Sequence, residues 1–94
     1  MTLAEFRSTL AVSDPPNVPA ALLALWHDAR GDWDAAHRVA QDIDTATGAL
    51  IHAYLHRKEG DLGNAAYWYR QARVATDALD AEWARIAERL LAAG

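Results

Sequence analysis

The sequence predicts an all-α protein of about six short helices, and three observations carry that prediction. Alanine supplies 22 of the 94 residues, against five glycines and three prolines, a balance that favours helices packed closely on one another. Apolar residues recur three and four positions apart in successive stretches, the helical period. Two Gly-Asp pairs, Gly31-Asp32 and Gly60-Asp61, stand where one stretch stops and the next begins. A chain of this length makes one domain, 1–94, with a single modest core.

The first helix is expected over about residues 2–12, from Leu3, Phe6, Arg7 and Leu10. Ser13-Asp14-Pro15-Pro16-Asn17 ends it, because proline lacks the N–H donor and forces its predecessor out of helical geometry. Pro19 suits the first turn of a second helix, about 19–30, where the missing donor costs nothing. That helix carries Leu22, Leu23, Leu25, Trp26 and Ala29 and stops at Gly31, a residue that tolerates a left-handed C-terminal cap. Asp32 can cap the third helix, about 32–43, with Trp33, Ala36, Val39, Ala40 and Ile43 at helical spacing.

The fourth helix is expected from about Thr45 to Glu59. Leu50, Ile51, Tyr54 and Leu55 form one face, and Ala49, His52, Ala53 and His56 form the other. A helix that is apolar or small on both faces is buried on both sides, which makes this the central helix. Gly60-Asp61 repeats the stop-and-cap device ahead of a fifth helix, about 61–75, with Leu62, Ala65, Trp68, Tyr69 and Ala72. A break follows at 76–80, with Asp77 or Asp80 as cap. The last helix, about 80–92, has Trp83, Ile86, Ala87, Leu90 and Leu91.

Composition narrows the function. Hydrophobic residues make up 52% and charged ones 23%, unlike a disordered chain. The formal net charge of −4 argues against nucleic acid, which calls for a basic stripe. There is no cysteine, so disulfides, thiolate ligands and thiol nucleophiles are excluded. The charge-free run from Thr45 to His56 is too short and polar to span a bilayer. The N-terminal residues lack a signal-peptide pattern, so the cytoplasm is the expected location. Eight arginines against one lysine, with the alanine content, suggest GC-rich bacterial coding.

Superposing the two glycine turns, 29 residues apart, lays His27-Asp28-Ala29-Arg30-Gly31-Asp32 over His56-Arg57-Lys58-Glu59-Gly60-Asp61. Ala24 then falls on Ala53, Ala36 on Ala65 and Ala40 on Tyr69. Gly60-Asp61-Leu62-Gly63-Asn64-Ala65-Ala66-Tyr67-Trp68-Tyr69-Arg70-Gln71-Ala72 resembles the second half of a tetratricopeptide repeat (TPR). Gly31 to Ile43 is a weaker copy. The units, about 19–43 and 46–73, are shorter than the usual length of about 34 residues, and they lack its early Trp, its Leu-Gly signature and its closing proline. The segment from Leu25-Trp26-His27-Asp28 to Tyr67-Trp68-Tyr69-Arg70 is also similar to a small, mainly bacterial family of TPR-like proteins with no assigned activity. The resemblance implies two helical hairpins flanked by an N-terminal helix and a C-terminal capping helix. It also implies a groove on the first helix of each unit, lined by Val18, Ala21, Leu25, Asp28 and Ala29, then Thr47, Leu50, Tyr54, Arg57 and Lys58. Arg57 and Lys58 would hold a partner carboxylate.

The histidines admit two readings. His52 and His56 are four apart and share a helix face, a spacing that can hold a metal. His27 takes the repeat position of His56, and His37 lies on the helix between them. The preferred reading is nevertheless structural, since buried polar groups are ordinarily satisfied within the fold. No Glu directly follows His52, where Ala53 stands, so the zinc-protease pattern does not apply. Tyr67, Trp68 and Tyr69 are consecutive and fan across roughly 200° of a helix. Tyr69 is the core aromatic, so Tyr67 or Trp68 must meet Trp83, a second subunit or a ligand. No phosphate loop, nucleophile elbow or paired carboxylate stands out.

The function these features point to is a non-catalytic protein-interaction module without a cofactor. Its partner is a protein or peptide, a second copy of the chain included, and a homodimer is expected. Leu25, Asp28, Tyr54, Arg57, Lys58, Tyr67 and Trp68 are the candidate contact residues. The alternative is a small metal- or ligand-binding protein, or an enzyme, built on His27, His37, His52 and His56.

Overall fold

The computed structural model describes residues 1–73 and 79–93. Over these the chain is all-helical, in the order α1 (Leu3–Ser8), a 3-10 turn (Thr9–Ala11), α2 (Ala20–Ala29), α3 (Trp33–Gln41), α4 (Ala46–Glu59), α5 (Leu62–Ala72) and α6 (Leu79–Ala93). Most of the expected break at 76–80, including Asp77, lies outside the described residues, and Asp80 falls within α6.

Local chemistry sets the helix ends. Thr2 and Glu5 form a capping box at α1, each side chain accepting from the other's backbone N–H, which satisfies two otherwise orphaned donors. α1 is shorter than the expected 2–12. The Ser8 and Thr9 hydroxyls donate to the carbonyls of Glu5 and Phe6, each at 2.6 Å, and compete with the helical pattern just where the chain tightens into the 3-10 turn. Asp32 and Asp61 cap α3 and α5 as expected, accepting from the backbone of Ala35 and Asn64. Gly31 and Gly60 sit at φ +81° and +92°, the left-handed region open to glycine at little steric cost. α5 stops at Ala72 rather than about residue 75, because Arg73 turns left-handed at φ 58°.

Packing makes α4 the centre of the molecule. It lies against α2, α3, α5 and α6, while α6 also reaches α1 and α2. Gly48, Ala49, Leu50, Ile51, Ala53, Tyr54 and Leu55 of α4 are buried. The helices meet at small residues: Ala24, Ala36 and Ala53 are wholly buried and Ala65 nearly so. Around these contacts Phe6, Leu25, Ile51 and Leu55 fill the core, each contributing about 1.5–3 kcal/mol by burial. The radius of gyration is 12.3 Å, close to the roughly 12 Å of a compact domain of this length. The chain is a globule closed on itself, not an open curved scaffold.

Candidate functional site

The face where α2 and α4 adjoin is covered by the chain's own last helix. Asp28, at the end of α2, is buried, and its carboxylate accepts from the Tyr54 hydroxyl and the Lys58 ammonium, both at 3.0 Å. One turn away, Arg57 donates to Glu82 of α6 at 3.0 Å, and the Tyr69 hydroxyl donates to the other oxygen of the same carboxylate. Trp83 stacks on Phe6 with ring centres 5.9 Å apart and donates from Nε1 to the Leu25 carbonyl at 2.9 Å. Burial, and then the neighbouring carboxylates, push both phenols well above their ordinary value. Tyr54 and Tyr69 are therefore neutral donors at any physiological pH.

Of the expected contact residues, Leu25, Asp28 and Tyr54 are thus interior, and Arg57 is engaged by Glu82. The carboxylate that Arg57 was expected to take from a partner comes from Glu82. The sequence reading missed Glu82 because it names carboxylates only near the turns. Its signal is position: Glu82 stands four residues before Ile86, in the apolar stripe of α6.

The histidines gather on the other side of α4. His52 and His56 project from one face of α4, and His37 reaches them from α3. One ring nitrogen of each lies within 4.8 Å of the others. The Nε2 atoms of His37 and His52 are 2.9 Å apart, a distance that makes one the donor and the other the acceptor. His56 meets Glu59 through Nδ1 at 3.0 Å, which leaves its Nε2 open. His27 is not part of this group; its ring stands edge-on to Trp26, 5.2 Å away. The turn repeat relates His27 to His56 along the chain but does not bring them together.

Two tryptophans wall the cluster. Trp68 stacks on His52 at 4.2 Å and 10°, and Trp33 stacks on His37 at 4.9 Å and 11°. Trp33 is itself fixed by an Nε1 hydrogen bond of 2.8 Å to the Leu55 carbonyl. The neighbour of Trp68 is therefore His52 rather than Trp83. Burial, then repulsion from His37 and His56, pushes His52 down to about 4. His37 is lowered as well, by burial and then by His56. At neutral pH His37 and His52 are uncharged imidazoles. A cleft of about 400 Å³ opens beside the cluster, with Gly48, Ala49, His52, Trp68 and Gln71 in its wall.

The outer face of α5 is a third feature. Tyr69, Ala65 and Ala72 face inward, whereas Leu62, Gly63, Ala66, Tyr67 and Arg70 are exposed. Leu62 is 66% exposed and Tyr67 46%. Among the described residues, no helix is long and apolar enough to cross a membrane. Comparison of the chain with protein families, with curated proteins and with solved structures finds no match.

Proposed function

We propose that the protein is a non-catalytic interaction module whose contact surface is the outer face of α5, with a second copy of the chain as partner. The observation that carries this reading is the exposure of Leu62 and Tyr67 on a helix whose other face is fully used against α4. The groove of the TPR resemblance is filled from within by α6, so a partner meets the end of the helix stack instead. Two helical pairs are fewer than the three or so repeats that cover one another's faces in a solenoid. Tyr and Arg are favoured interface residues, and Tyr67 and Arg70 are three apart and both exposed on this face.

Light scattering and sedimentation over a range of concentrations test the proposal. A dimer is expected, and Leu62→Glu with Tyr67→Asp should weaken it tenfold or more, equivalent to about 1.4 kcal/mol, with the helical circular dichroism unchanged. A chain that stays monomeric at every concentration removes the reading.

A further inference from the structure

We propose that His37, His52 and His56 form a three-imidazole site for one divalent late first-row metal ion of the zinc class, with Glu59 orienting His56 from behind. The geometry comes first. Two imidazole nitrogens, each about 2.0–2.1 Å from a tetrahedral ion, sit roughly 3.3 Å apart. The His37–His52 pair, at 2.9 Å, is already at that scale. The widest separation within the set, 4.8 Å, exceeds that spacing by about 1.5 Å, the distance the rings would close on binding the ion.

The surroundings fit the same purpose. His56 gives Nδ1 to Glu59, the carboxylate–histidine arrangement that fixes a tautomer, directs Nε2 at the ion and raises its basicity. Trp33 and Trp68 clamp the His37 and His52 rings by stacking and supply an apolar wall.

Donor chemistry selects the metal class. Three nitrogens and no thiolate suit Zn²⁺, Co²⁺, Ni²⁺ or Cu²⁺, and not the oxygen-seeking Mg²⁺ or Ca²⁺. Three protein ligands leave a fourth position for water or a small ligand, unlike a closed structural site.

The test is titration of the full chain with Zn²⁺ and with Co²⁺ at neutral pH, by equilibrium dialysis and by the visible absorption of four-coordinate Co²⁺. One equivalent is expected to bind saturably. His37→Ala should abolish stoichiometric binding while His27→Ala leaves it intact, circular dichroism confirming that both variants fold. Glu59→Leu, which removes the acceptor behind His56, should weaken binding about 10–100-fold. A readout without mutation guards against a misfolded variant. One equivalent of Zn²⁺ should move the imidazole nitrogen resonances of His37, His52 and His56 and leave those of His27 in place. Absence of saturable binding by the folded chain overturns the proposal. So does equal affinity in folded His37→Ala, or resonance shifts that do not single out the three ligands.

Discussion

At the scale of single residues, the close approaches around α4 carry the most constraint. A methyl group added at Gly48 would lie 2.0 Å from the carbonyl oxygen of Ile43, so the turn into α4 and the helix itself cannot both keep their places. Ala53 is wholly buried at a helix contact and leaves no room for the three further carbons of a leucine. Gly48→Ala and Ala53→Leu are each expected to cost about 1–3 kcal/mol through overpacking. For a domain of this size that lowers Tm by about 4–8 °C per kcal/mol, measurable by thermal unfolding; unchanged Tm in Ala53→Leu would remove α4 from the centre. The importance of Ala53 is legible in the sequence, because it repeats at the position of Ala24. The importance of Gly48 is not, since nothing in the chain order shows that the Ile43 carbonyl folds back against it.

At the scale of the element, the helices are written locally. Each Gly-Asp turn combines a left-handed glycine with a capping aspartate, and both turns form where the sequence places them. Hydrogen bonds from Asn64 hold the Asp61 carboxyl below its ordinary value. Its folded value is therefore lower than its unfolded one, so its contribution is fully present above the ordinary carboxylate value of about 4 and is lost as pH falls through the folded value. Stability of the native chain should decline in that acid range, and Asp61→Ala should flatten the decline while lowering stability at neutral pH through loss of the helix cap. Urea unfolding midpoints across the acid range check both statements. An identical pH slope in the variant would place the effect elsewhere.

At the scale of the whole molecule, α6 decides what the protein presents to its surroundings. Its Glu82 satisfies Arg57 and Tyr69 in the interior, and its Trp83 reaches both Phe6 and the Leu25 carbonyl. Glu82→Ala strips a buried carboxylate from two donors, and hydrogen bonds to charged groups are worth about 1.5–3 kcal/mol each. The variant should unfold at markedly lower denaturant with the helix content of its native state retained. Chemical denaturation followed by tryptophan fluorescence measures this, and a wild-type midpoint would show that α6 is not anchored through Glu82.

The sequence by itself determined the helices, their turns, the central place of the fourth helix and the inward-facing alanines. All of these depend on periodicity and capping within a few residues. Only the tertiary structure decided that α6 covers the face where α2 and α4 adjoin and that three histidines meet while a fourth stands apart. Those outcomes depend on the angles at which helices cross, set by side-chain packing between segments far apart in the chain. His52 and His56 share a face because a helix has 3.6 residues per turn. His37 joins them, and His27 does not, because α3 packs against that face of α4 and α2 lies on another.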